Sequence, residues 1–93
     1  MNLAAVESGT ATNIATATTT AVSTKPCTVL GIFCSSSTSG TVKLQTAAAA
    51  TIVNTFSVVA GTYYKLGIDC PTLSVVSTGA LDIVVITSGA GVL

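Results

Sequence analysis

The sequence contains no histidine, arginine or tryptophan, and only six acidic or basic side chains in 93 residues: Glu7, Lys25, Lys43, Lys65, Asp69 and Asp82. Without histidine, a Ser or Cys nucleophile lacks its usual activating base. The three lysines fall on turn or outward-facing positions, where they are not desolvated enough to serve as bases. Glycosidase-type chemistry needs two carboxylates aimed at one cleft. Glu7 belongs to the leader, while Asp69 and Asp82 adjoin turns, where short acids bond nearby backbone N–H groups. The chain is therefore expected not to be an enzyme, with no catalytic residue, no cofactor and no small-molecule substrate.

Other absences narrow the partners. A formal net charge of zero offers no basic footprint for the phosphates of nucleic acid. The longest apolar stretches, Ala47 to Ala50 and Ile83 to Ile86, fall far short of the roughly 20 residues that cross a bilayer as a helix, so no membrane association is expected. Met1 to Glu7 has neither a basic nor an apolar region of the kind that opens a secretory signal. The three cysteines, Cys27, Cys34 and Cys70, lack the paired spacing of zinc sites, so no metal is expected. On one regular strand Cys27 and Cys34 would sit roughly 23 Å apart on opposite faces, too far for a disulfide, while Cys70 is free by sequence to meet either. Three reduced thiols, buried as small hydrophobes, fit folding in a reducing host cytoplasm.

What is present is a polymer of small, β-prone residues: 17 Thr and 10 Ser alternating with Val, Ile, Leu and Ala. Such a chain makes one domain, which buries only about 60 to 65% of its unfolded surface. Ordinary domains carry about 25% charged residues, against 6% here, so much of the surface is expected to face protein.

Residues 1 to 24 read as an extended amino-terminal arm or edge strand. Within SGTATNIATATTTAVST, only Ile14 and Val22 are larger apolar side chains, and threonine is stiff and poor in helices. Residues 25 to 93 read as the folded domain, all-β, a small antiparallel β-sandwich of jelly-roll type, because β-rich segments alternate with turn clusters. Cys27 to Cys34 is apolar on both faces, as a central strand would be, with Cys27, Val29 and Phe33 opposing Leu30, Ile32 and Cys34. Thr41 to Thr46 points Val42 and Leu44 inward. Thr51 to Val58 sends Ile52, Asn54, Phe56 and Val58 one way, which would leave Asn54 in need of a partner. Gly61 to Ile68 sets Tyr64, Leu66 and Ile68 against Tyr63 and Lys65. Thr72 to Ser77 and Leu81 to Thr87, joined by Thr78-Gly79-Ala80, read as a hairpin.

The order Leu30-Gly31-Ile32, Thr38-Ser39-Gly40-Thr41-Val42-Lys43-Leu44, Ile52-Val53-Asn54-Thr55-Phe56, Ala60-Gly61-Thr62-Tyr63-Tyr64 and Leu73 to Val85 resembles small trimeric β-sandwich virion proteins of tailed bacteriophages. The likeness covers about residues 28 to 87. It implies a homotrimer on the capsid exterior, acting as a cement or decoration subunit that binds the major capsid protein, or as a head- or tail-fibre adhesin that contacts the host. A carbohydrate-binding sandwich using Tyr63 and Tyr64 is the further alternative. The residues expected to make contacts are Thr10, Thr12, Ile14, Thr16, Thr18, Thr20 and Val22 of the arm, by strand addition to a neighbour, together with Tyr63 and Tyr64.

Overall fold

The structure is a computed structural model and describes residues 10 to 89. Its eight strands are β1 (Thr10–Ile14), β2 (Thr19–Ser23), β3 (Cys27–Ser37), β4 (Thr41–Gln45), β5 (Thr51–Ser57), β6 (Thr62–Cys70), β7 (Leu73–Thr78) and β8 (Leu81–Gly89). They form two four-stranded antiparallel sheets packed as a β-sandwich, in the orders β1-β8-β3-β6 and β2-β7-β4-β5. The first strand pairs with the last, the second with the seventh, the third with the sixth and the fourth with the fifth. This is a long hairpin rolled up on itself, the winding of an eight-stranded jelly roll. Only β4 and β5 are consecutive and share a sheet. Every other connection crosses from one sheet to the other.

Alternation of side chains builds the core. Val42 and Leu44 of β4 are fully buried, as are Leu73 and Val75 of β7 and Ile83 and Val85 of β8. All nine of the largest fully buried side chains are aliphatic or thiol, so the described core has no fully buried aromatic. Such a core is filled by branched side chains that suit a pleated surface. Phe56 and Tyr64 lean on its margin, with ring centroids 5.5 Å apart and planes tilted by 59°.

Three sequence expectations need correction. The first is the arm, of which the edge-strand alternative holds from Thr10 onward. Thr10–Ile14 pairs along β8, and Thr19–Ser23 along β7, so residues 10 to 23 are edge strands of the chain's own two sheets. No domain boundary separates them from β3 and the later strands, and residues 1 to 9 lie outside the described part. A Thr/Ala segment is enough for this role, because an edge strand needs a backbone to pair and only one apolar side per turn of the pleat. Ile14, 3% exposed, provides it. Ser77, also buried, ties the corner between β1 and β2. Its hydroxyl proton serves the carbonyl of Thr16 at 2.8 Å or of Thr18 at 3.1 Å, and its oxygen accepts from the Thr18 N–H at 3.2 Å.

The second is the hairpin. β7 and β8 are joined by a tight turn with Gly79 at φ 77°, yet they lie in different sheets. The turn reverses the chain and hands it across the sandwich. It nests against the corresponding corner between β3 and β4, where the Thr38 N–H donates to the Ala80 carbonyl at 2.9 Å. A Cβ on Gly79 would lie 2.3 Å from the Ser39 carbonyl oxygen, so glycine is required there by both conformation and space.

The third is the phase of β3. Between Val29 and Gly31 its register shifts against both β6 and β8, a bulge at Leu30 that changes which residues face in. Cys27 and Val29 point inward before the bulge, and Ile32 and Cys34 after it, while Phe33 is left on the outside. Cys27 and Cys34 therefore share the inner side, contrary to the regular-strand expectation.

Candidate functional site

Burial disposes of most of the chain's reactive groups. Cys27, Cys34 and Cys70 are free and buried. Cys27 and Cys70 are direct partners across the β3–β6 ladder. Desolvation raises the Cys34 thiol above its ordinary value, with Asp82 adding to the effect, and desolvation followed by the neighbouring Cys27 raises Cys70. Both are pushed away from the thiolate form that reacts. Among the described residues no three His, Cys, Asp or Glu side chains come together to hold a metal ion. No helix among them is long and apolar enough to cross a membrane.

The two aspartates are bound across strands instead of to turn N–H groups. Asp82 Oδ1 accepts from Asn13 Nδ2 at 2.7 Å, tying β8 to β1, and Asp69 Oδ1 accepts from Thr28 Oγ1 at 2.6 Å, tying β6 to β3. They sit on different rows of the sheet and share no cleft. Asn54 is exposed, and its side-chain oxygen accepts from the Thr55 N–H at 2.8 Å.

Of the residues expected to make contacts, Ile14 is buried in the core, Thr12, Thr20 and Val22 are half-buried beneath the edges, and Thr10, Thr16 and Thr18 are exposed. Thr16 and Thr18 are held by Ser77. Tyr63 and Tyr64, as neighbours on one strand, go to opposite faces. Tyr64 packs beside Phe56, and its hydroxyl accepts from the Val59 N–H at 2.9 Å. Tyr63 is 48% exposed and lies over Gly31, whose absent Cβ would meet the phenol oxygen at 2.2 Å. The two rings do not form one stacking platform.

Sequence reasoning missed the surface that this arrangement creates. On the outer face of β1-β8-β3-β6, register sets Asn13, Val84, Phe33 and Tyr63 in one cross-strand row and Ala11, Ile86, Gly31 and Lys65 in the next. Phe33 is 37% exposed, and Val84 and Ile86 are half-buried. The polar groups lie around the apolar rows: Asp82 beyond one end, Ser88, Thr28 and Asp69 beyond the other. The outer face of β2-β7-β4-β5 is more polar, with Thr19, Val76 and Lys43 on one row, Ala21, Ser74 and Gln45 on the next, and Thr41 and Thr78 beyond them. The apolar run Ile83 to Ile86 and the two-faced Cys27 to Cys34 were the available signal. Its meaning depended on a bulge between Val29 and Gly31, for which the isolated glycine in the strand was the unused signal.

Beside this face, the edges of β5 and β6, unpaired among the described residues, border a groove of about 480 Å³, lined by Val53, Phe56, Tyr63, Tyr64 and Leu66 among others. A second cleft, of about 520 Å³, lies between the β3–β4 and β5–β6 corners, lined largely by small hydroxyl side chains and Val58. The first also takes in Asn54 and Lys65 beside the two tyrosines, and the second holds no charged side chain. No protein-family model, curated protein or solved structure matches this chain.

Proposed function

We propose that this chain is a structural subunit of a bacteriophage particle, a cement or decoration protein that binds the major capsid protein on the outside of the head as a homotrimer and catalyses no reaction. The observation that carries the reading is the eight-stranded jelly-roll winding, an architecture used by viral capsid and lectin domains, here without a cluster of reactive groups among the described residues. A fold does not dictate function. The site chemistry therefore matters as much as the topology, and it offers surfaces instead of a reaction centre. Low charge suits such a role, because burying unpaired ions against a neighbour would cost several kcal/mol each. An external subunit that bridges capsid proteins stabilises the head by mass action, since it binds only the assembled state.

The fold changes how attachment works. Residues 10 to 23 are consumed by the chain's own sheets, so among the described residues contact with neighbours falls to the sheet faces and the exposed corners. The carbohydrate-binding alternative loses its paired tyrosines, which point apart. The test is to purify particles made by the genome that encodes the chain, identify the chain by mass spectrometry, and label it with antibody for electron microscopy. Label spread over the head supports the proposal, label confined to tail or fibre tips would convert it to the adhesin reading, and absence from purified particles would reject it.

A further inference from the structure

We infer that the outer face of the β1-β8-β3-β6 sheet is a subunit interface, covered in solution by a second copy of this chain. Two observations carry this. The first concerns the two central strands, β3 and β8. In an antiparallel sheet with one wet face, the outward positions are polar. Here the outward positions Phe33, Val84 and Ile86 are apolar, as in strands covered on both sides, and nothing among the described residues covers them. On the opposite sheet, built from the same vocabulary, the outward positions of the two central strands are Thr41, Lys43, Gln45, Ser74 and Thr78, with Val76 the one apolar side chain among them. The asymmetry is therefore specific to one face and not a result of composition.

The second is the character of the patch. The phenol of Tyr63 lies over Gly31, and the outward positions Phe33, Val84 and Ile86 of the central strands carry no charge. Aspartates stand at the margins, already hydrogen-bonded within the sheet. Four strands about 4.8 Å apart and nine residues at about 3.3 Å make a face of roughly 570 Å² in projection. Side-chain relief raises this toward the about 800 Å² that each partner gives to a standard interface. Interfaces between identical copies are more apolar than those between partners that also live apart, which favours a second copy over a separately folded protein. Addition of a strand at the neighbouring β6 edge is disfavoured, because that edge carries Lys65 and a bulge with Gly67 at φ 72°, devices that keep edges from pairing.

This inference takes from the proposed function only the idea that the chain is a structural subunit, and its test is separable. Sedimentation velocity at micromolar concentration compares the wild type with Phe33→Lys, Tyr63→Lys and Thr19→Lys, each checked for native far-UV circular dichroism. Both aromatics are substantially exposed, so neither change opens the core. Thr19 is exposed on the other sheet. The expected result is a wild type and Thr19→Lys that sediment at a multiple of the single-chain mass. Phe33→Lys and Tyr63→Lys should sediment as single chains, with dissociation constants raised at least tenfold. A wild type that sediments as one chain would overturn the inference, as would two aromatic variants that keep the wild-type mass. A single-chain wild type that needs Phe33 to sediment with particles would also overturn it, handing the face to the capsid protein. Association in solution without any attachment to particles would uphold it while removing the proposed function.

Discussion

Replacing Ile14 by Ala tests whether residues 10 to 23 belong to the cooperative fold. The side chain is 3% exposed at the end of β1, opposite Ile83. The substitution removes about three methylene equivalents, worth about 2.4 kcal/mol by transfer alone. A further about 24 cal/mol is lost per Å³ of cavity that stays open. Because β1 is an edge strand of five residues, it can settle partly into the gap, so the total loss should be about 3 kcal/mol. For a domain of this size that corresponds to a melting temperature lower by about 12 to 24 °C. Ile14→Val, which removes one methylene, should cost about 1 kcal/mol. With no tryptophan in the chain, far-UV circular dichroism is the signal, followed in urea and on heating. If both variants unfold within about 0.5 kcal/mol of the wild type, the range of ordinary surface substitutions, then β1 is not part of the cooperative unit and the reasoning fails.

Two further outcomes rest on the same packing. Gly79→Ala meets both a left-handed backbone, φ 77°, and the Ser39 carbonyl oxygen 2.3 Å from the new Cβ, whereas Gly61→Ala at φ 80° meets open space. Urea titration should show about 1 to 2 kcal/mol lost at Gly61 from conformation alone and at least about 3 kcal/mol at Gly79; equal losses would mean that the two corners do not stack. Stability should also fall in alkali. Cys34 and Cys70 have folded-state pKa values raised above the ordinary 9.0 by burial. Below that value both states keep their thiol protons and stability is complete. As pH rises past it the unfolded chain loses protons first, and stability declines by about 1.4 kcal/mol per pH unit for each thiol until the folded values are reached. Urea midpoints at successive pH values should show this decline, with a shallower slope in Cys34→Val; an equal slope in the variant would contradict the assignment.

Where local alternation was enough, the sequence could be read directly. Val42 and Leu44 against Thr41, Lys43 and Gln45, and Tyr64, Leu66 and Ile68 against Tyr63 and Lys65, fall on the sides that their order implies. Where the outcome rested on a contact distant in sequence, reading failed. Thr78-Gly79-Ala80 carries the chemistry of a reversing turn, but a reversal does not say whether the next strand lies beside the last one or opposite it. That was decided by β1 and β3 enclosing β8 while β2 and β4 enclosed β7. Likewise Gly31, an isolated glycine inside the strand, is a local mark of a bulge, but it does not fix where the phase changes, and the one-residue shift at Leu30 exchanged the destinations of Phe33 and Cys34. The apolar outer face, and with it the proposed interface, depends on that shift.

The amino-acid sequence by itself determined the class of architecture and the poverty of acid–base chemistry. β-branched and hydroxyl residues at a period of two leave no helical alternative, and groups that are absent cannot be supplied by folding. Only the tertiary structure decided which sheet each strand joins, that the Thr/Ala leader from Thr10 onward closes both sheets, and which face is left apolar. The physical reason is that alternation is a local property of neighbouring side chains. Strand partnership is settled between backbone N–H and C=O groups that are chemically alike all along the chain, so it goes to whichever long-range arrangement buries Ile14, Ile32, Ile83 and Val85 together.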